Sequence, residues 1–210
     1  MSTILQLNLK RISGTIVQQT VRTIRKGGVI LYPTETVYGL GCNAFDEKAI
    51  QRIFEIKERP ETKPMLVLVR NRTMLQELVS EIPPTAFKLM ECFWPGPLTL
   101  IFKARKNLSS LLTAGSGKIG VRIPSNNFCL KLLKESQIPL VSTSANMSGK
   151  NVISSIKSLK RIFADKVDIV IDAGSSPSSL PSTVVDVSES KLAIIRQGAI
   201  SNAQLRVAFL

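Results

Sequence analysis

The sequence contains no histidine among its 210 residues, and this absence excludes several kinds of functional site. A Ser-His-Asp triad, a Cys-His dyad, a zinc site with histidine ligands and a haem with an axial histidine are all impossible. The three cysteines stand far apart, at Cys42, Cys92 and Cys129, so they form neither a CxxC metal motif nor a disulfide framework. We therefore expect free thiols in a reducing compartment, and any catalysis must use other side chains.

Long apolar runs and acidic residues are also scarce. No apolar run approaches the ~20 residues of a membrane-spanning helix, and the opening residues lack the pattern of a signal peptide. We therefore expect a cytoplasmic protein with no membrane partner. Lys and Arg number 28 against 15 Asp and Glu, which gives a net charge of +13 and predicts attraction to polyanions such as nucleotides or RNA.

Helical and strand patterns alternate along the chain and predict one α/β domain over residues 1–210. Apolar residues at helical spacing predict helices at 15–26, 72–80, 84–93, 126–135 and 154–164, one after a cap at Asp46 and one from Ser201. Strands are predicted at 29–32, 65–69, 98–102, 119–123, 139–143, 167–172, 183–187 and 192–196. Since late strands follow one another without a helix between them, the single sheet should be mixed.

Two glycine-rich stretches suggest a nucleotide site but fail in detail. The GSGK sequence that ends at Lys118 lacks the earlier glycine of a P-loop, where Leu112 stands, and Ile119 replaces the Mg²⁺-binding hydroxyl residue. The stretch GLGCNA at residues 39–44 does not follow its strand directly, as a dinucleotide fingerprint must. We predict neither motif.

Polar segments at strand ends and at one helix end carry the functional signal, because open α/β sheets bind ligands at the ends of their strands. Residues 33–41 combine three hydroxyl groups and a carboxylate with two glycines, and residues 142–149 are dense in short donors and acceptors. Residues 57–64 place Lys57 and Arg59 at a helix end, where interaction with the helix dipole is the simpler alternative. Residues 181–186 and 194–198 complete the set.

Together these segments resemble the YrdC/TsaC threonylcarbamoyl-AMP synthases. The strings PTETVYGLG, KERPxxKP, FWPGPLT, GVRIP, STSANMSG, PSTVVD and IIRQG occur in the family's order from about residue 27 to residue 198. The implied fold is a twisted mixed β-sheet of about seven strands with helices on both faces and a concave, basic cleft. The length is similar to the family's short form, so no additional C-terminal domain is expected.

The resemblance implies that L-threonine, bicarbonate and ATP give threonylcarbamoyl-AMP and diphosphate. A separate transferase machinery would then modify adenosine 37 of tRNAs that read codons beginning with A, with weak RNA contact at most. The expected catalytic residues are Lys57 and Arg59, at the triphosphate, and Arg122, at the threonine or carbamate carboxylate. The other implied positions are Thr34, Ser144 and Ser182 for threonine and Ser142, Asn146 and Arg196 for ATP.

The implied chemistry needs no protein nucleophile, because a carbamate formed on the threonine amine can itself attack the α-phosphorus. The protein has to position and neutralise anions. Mg²⁺ would be held by phosphates and water, and no metal ligand is predicted. Residues 174–182 are a candidate lid, with a plain solvated turn as the alternative. A non-enzymatic protein that binds double-stranded RNA or assembles ribosomes is the alternative reading of the positive charge.

Overall fold

The structure is a computed structural model that describes residues 2–176 and 180–207. Its strands are β1 (Thr3–Gln6), β2 (Ile30–Tyr32), β3 (Gly39–Asn43), β4 (Leu66–Leu68), β5 (Leu98–Lys103), β6 (Lys118–Arg122), β7 (Leu140–Ser144), β8 (Ile169–Asp172), β9 (Thr183–Asp186) and β10 (Ala193–Arg196). Its helices are α1 (Gly14–Arg25), α2 (Glu47–Lys57), α3 (Arg72–Gln76), α4 (Pro84–Phe93), α5 (Ser110–Thr113), α6 (Asn127–Ser136), α7 (Ile156–Phe163) and α8 (Asn202–Val207).

All ten strands belong to one sheet, in the order β1-β8-β2-β3-β7-β4-β6-β5-β9-β10. Four neighbouring pairs are parallel and five are antiparallel, which confirms the predicted mixed sheet. The expected count of about seven strands is wrong. The strands that were not predicted are β1 and β3. Strand β1 is a short, mostly exposed edge strand, and β3 contains two glycines.

Gly41 of β3 is required by a tyrosine of the neighbouring strand. A Cβ atom on Gly41 would lie 2.7 Å from Cε1 of Tyr32 and 2.8 Å from the carbonyl oxygen of Val141. Tyr32 is fully buried, and its hydroxyl donates a 2.7 Å hydrogen bond to Oγ of Ser142 in β7. The G-x-G pattern therefore belongs to a strand that passes close to an aromatic ring and to its neighbour's backbone.

Helix α2 begins and ends where its sequence predicts. The carboxylate of Asp46 accepts a 3.0 Å hydrogen bond from the backbone N–H of Ala49, and this cap satisfies one of the free donors of the first turn. The helix buries Ile50, Ile53 and Phe54 against the sheet side of the core and ends at Lys57. Its position fixes where the polar segment 57–64 begins. In the part of the chain described here, no helix is long and apolar enough to cross a membrane.

Candidate functional site

A cleft of about 450 Å³ lies over one face of the central strands. Its floor includes one residue from each of five adjacent strands, paired in register: Ser142, Leu66, Gly120, Ile101 and Asp186. This follows from the two-residue period of strands, which directs alternate side chains to opposite faces of the sheet.

Strand β6 shows the sequence basis of this floor. Its residues Lys118, Gly120 and Arg122 line the cleft, whereas Ile119 and Val121 are fully buried in the core. The KIGVR sequence thus alternates between polar or small residues and large apolar ones. The predicted polar positions therefore lie within strands on one face, as well as at strand ends.

Seven of the nine predicted site residues line the cleft, and the other two do not. Those that line it are Thr34, Arg59, Arg122, Ser142, Ser144, Ser182 and Arg196. Lys57 and Asn146 lie behind the cleft wall, where they fix the backbone of the loop that follows β7. The structure thus brings together residues from positions 34 to 196 of the chain.

Lys57 is almost completely enclosed, with 1% of its surface exposed. Its Nζ donates hydrogen bonds to the carbonyl oxygens of Ser144 and Asn146, and Oγ of Ser144 donates to Oδ1 of Asn146 at 2.5 Å. Burial, with a smaller contribution from the charge of Arg59, lowers the pKa of Lys57 to about 7. Lys57 therefore joins the end of α2 to the polar loop after β7.

Arg122 is the most deeply buried arginine of the cleft, with 3% of its surface exposed. Its Nη1 lies 3.2 Å from Oε1 of Glu35 and donates a 3.4 Å hydrogen bond to Oγ1 of Thr36. The segment that carries these two residues is itself fixed locally, because Oγ1 of Thr34 accepts from the N–H of Thr36 and donates to the carbonyl of Val37. Arg122 is thus held by the turn that follows β2.

Arg196 reaches the cleft from the edge strand β10. Its Nε and Nη2 donate to the carbonyl oxygen of Ser182 at 3.2 and 2.9 Å, and the Ser182 hydroxyl lies 2.9 Å from that of Thr99. Burial lowers the pKa of Arg196, and the positive charge of Arg122 lowers it further. The two positive charges therefore repel each other, and an anion bound near both would relieve that repulsion.

Arg59 extends along the opposite wall. Its Nη2 donates to the carbonyl of Pro64 at 2.9 Å and its Nε to that of Lys63 at 3.3 Å, and burial lowers its pKa. These bonds fix the loop 59–64 with the guanidinium in the cleft wall. A cation that is anchored by carbonyls, with no acidic partner among the described ion pairs, is suited to bind an anionic ligand.

Several lining residues were not assigned a role from the sequence, namely Tyr38, Lys63, Thr99, Ser116, Lys118 and Asp186. The alternation in β5, β6 and β9 is the signal that could have identified three of them. The hydroxyl of Tyr38 accepts from the N–H of Ala173 at 2.9 Å and donates to the carbonyl of Gly174 at 2.8 Å. It thus fixes the start of the predicted lid, 174–182, of which residues 177–179 lie outside the described residues.

The described residues provide no ready-made metal site. They contain no group of three or more His, Cys, Asp or Glu side chains that could hold a metal ion. Asp186, the carboxylate among the described lining residues, forms a 3.1 Å ion pair with Lys118. A metal ion in this cleft would therefore need ligands supplied by a bound substrate.

The chain is similar in sequence to several known proteins. A family model described as Sua5_yciO_yrdC, Telomere recombination, matches residues 22–198. The threonylcarbamoyl-AMP synthase of Pyrococcus abyssi is 39% identical over 177 residues, which cover 84% of this chain and 52% of that protein. That of Pseudoalteromonas translucida is 34% identical over 174 residues, or 82% of this chain and 93% of the relative.

A solved structure is also closely similar. The crystal structure of P. abyssi Sua5 complexed with L-threonine superposes with a TM-score of 0.94 at 35% identity and covers 99% of this chain and 61% of that one. The chain spans about half the length of the curated relatives from P. abyssi and Bacillus subtilis, 52% and 55%.

Proposed function

This chain belongs to the Sua5/YciO/YrdC family, and we propose that it is a threonylcarbamoyl-AMP synthase, a nucleotidyltransferase. In this reaction the threonine amine attacks the carbon of bicarbonate, and water leaves to form a carbamate. A carbamate oxygen then attacks the α-phosphorus of ATP and displaces diphosphate. The names of the relatives and the threonine complex of the P. abyssi protein support this proposal.

The observation that carries the proposal is the charge of the cleft. Five cations, Arg59, Lys63, Lys118, Arg122 and Arg196, line it against one described carboxylate. The substrates bring an opposite excess of charge, because ATP, the amino-acid carboxylate and the carbamate are all anionic. A site that holds these anions in fixed positions lowers the barrier by proximity and by electrostatic stabilisation, without a histidine or a protein nucleophile.

The proposed roles follow the positions of the side chains. Arg122 would bind the threonine or carbamate carboxylate, and Arg59 would bind the triphosphate as a planar fork of donors. Lys57 would act from behind the cleft wall, by its charge and through the loop carbonyls it holds. The remaining assignments keep threonine at Thr34, Ser144 and Ser182 and ATP at Ser142 and Arg196. Asn146, which lies behind the cleft wall, would act at the ATP site through its hydrogen bond with Ser144.

The same proposal covers the metal ion, the use of the product and the cellular compartment. Mg²⁺ would enter bound to the triphosphate, as part of the substrate, because the cleft offers it no ligand set. The product would be consumed by a transferase that modifies adenosine 37 of tRNAs reading codons that begin with A. All three cysteines are free thiols, which is consistent with a place in the reducing cytoplasm.

A non-enzymatic RNA-binding role explains the geometry less well. The positive charge of +13 would attract a duplex, but 3% exposure of Arg122 leaves it out of reach of a phosphate backbone. Small ligands can enter a cleft of about 450 Å³, whereas a double helix cannot.

Detection of the reaction product tests the proposal. The purified chain, mixed with Mg-ATP, threonine and bicarbonate, should form threonylcarbamoyl-adenylate detectable by mass spectrometry, with release of diphosphate. Omission of either threonine or bicarbonate should abolish both signals. Exposed Arg161 in α7 offers a control of equal charge, so Arg161→Ala should remain active where Arg122→Ala is not. Diphosphate release that is independent of threonine would contradict the proposal.

A further inference from the structure

Glu35 is a buried acidic residue to which the proposed reaction gives no role. Its side chain is 15% exposed, and both carboxylate oxygens are shielded from solvent without a hydrogen bond in the described part of the chain. The cation next to it is Arg122, whose Nη1 lies 3.2 Å from Oε1 of Glu35. The two groups form an ion pair, but their relative orientation does not meet the geometry of a hydrogen bond.

The surroundings of Glu35 make Arg122 its main charged neighbour. Burial raises the pKa of the Cys129 thiol, and the charge of Glu35 raises it further. Burial also raises the pKa of the Tyr32 hydroxyl, so both groups are neutral at ordinary pH. A buried carboxylate is costly unless a cation compensates it, and the same holds for the buried guanidinium.

The ion pair engages only one end of the guanidinium. Nη1 of Arg122 contacts both Glu35 and Thr36, whereas Nε is buried with no hydrogen-bond partner among the described residues. A carboxylate ligand binds arginine best through two parallel N–H donors of one edge. The edge that carries Nε is therefore left for a ligand while Glu35 holds the other end.

We infer that Glu35 is a positioning residue for the amino-acid substrate, because it holds Nη1 of Arg122 and so presents the Nε edge to the substrate carboxylate. The inference rests on the proposed function, in which Arg122 binds that carboxylate. Glu35 is not among the described residues that line the cleft, so we expect it to act on the substrate only through Arg122. Substitution of Glu35 should therefore affect only the binding of substrates that carry a carboxylate group.

The test compares threonine with threoninol, which keeps the amine, hydroxyl and methyl groups but has no carboxylate. Calorimetric titrations would use the wild-type chain, Glu35→Gln and Glu81→Gln, a control whose carboxylate forms an exposed ion pair with Lys103. Glu35→Gln should raise the Kd for threonine at least five-fold and leave the Kd values for threoninol and ATP within two-fold of wild type. Glu81→Gln should change none of them.

A second variant covers the case in which Glu35→Gln does not fold. Glu35→Asp keeps the charge but shortens the reach toward Arg122, so it should also weaken threonine selectively. Equal weakening of threonine and threoninol, or an unchanged Kd for threonine, would overturn the inference while leaving the proposed function in place. A wild-type chain that does not bind threonine at all would instead remove the proposed function, and the inference with it.

Discussion

The burial of Lys57 leads to a quantitative prediction about stability. Its Nζ is enclosed behind the cleft and bonded to two backbone carbonyls, and burial followed by the charge of Arg59 lowers its pKa from 10.5 to about 7. The folded chain therefore releases this proton at a lower pH than the unfolded chain does. Because the unfolded state binds more protons between these two pKa values, the free energy of unfolding should rise with pH in that window.

The size of the effect follows from linkage. Well above its folded pKa, Lys57 is neutral in the folded chain and charged in the unfolded one, so stability gains up to about 1.4 kcal/mol per pH unit. Integration from about pH 6 to about pH 9 gives a gain of about 3 kcal/mol, most of it above about pH 7. Below about pH 6 the amine is charged in both states, and its contribution no longer changes.

The assay is urea unfolding of the wild type and of Lys57→Met across this pH range. Methionine leaves the carbonyls of Ser144 and Asn146 without their donor, but that penalty does not depend on pH and drops out of the slope. The difference in unfolding free energy should move in favour of the wild type as pH rises. Exposed Lys157 in α7 gives a control, since Lys157→Met should show no such trend. A constant difference, within about 0.5 kcal/mol, would refute the reasoning.

Three further predictions concern ligands. Arg59→Ala should lower turnover about ten- to a hundred-fold, because one charge-assisted contact is lost. The stability of the variant against chemical unfolding should stay close to that of the wild type. Undiminished turnover would contradict the proposed role of Arg59. Serine should be a poorer substrate than threonine by a factor on the order of 10 to 200. Valine should be poorer still, because it leaves the hydrogen-bond partners of the threonine hydroxyl unpaired. Equal use of valine and threonine in competition assays would refute the proposed threonine pocket. RNA should bind weakly, with a Kd of about 10⁻⁴–10⁻⁶ M, and the affinity should fall steeply with salt concentration. Synthesis of threonylcarbamoyl-adenylate should need no RNA. Salt-resistant, sequence-selective RNA binding would favour the RNA-binding alternative.

Elements with strong apolar periodicity were predictable from the sequence, and elements defined by tertiary contacts were not. The Asp46 cap and the apolar stripe predict α2, and the structure confirms it. Strand β3 escapes prediction because its glycines serve Tyr32, a residue of another strand. Helix α3 ends at Gln76, earlier than the predicted residue 80, and the chain continues through a bridge between Val79 and Ala104.

In the site, too, some features were predictable from the sequence and others depend on tertiary contacts. Motif order predicts functional roles for Arg59, Arg122 and Arg196, and the structure places all three in the lining of one cleft. The position of Lys57 behind the wall is not visible in the sequence, because it depends on carbonyls 87 and 89 residues further along the chain. Glu35 lies in the predicted polar segment 33–41, yet its contact with Arg122 exists only once β2 and β6 belong to one sheet.

The register of the sheet explains how scattered charge becomes a binding site. Lysines and arginines are dispersed along the chain, with no run that would indicate an anion site by itself. Pairing of β6 with β4 and β5, and of β9 with β10, places Lys118, Arg122 and Arg196 over the same face. Because the positive charge of Arg122 lowers the pKa of Arg196, an anion bound near both arginines would offset a repulsion already present in the fold. The proposed site would thus be electrostatically preorganised without a histidine.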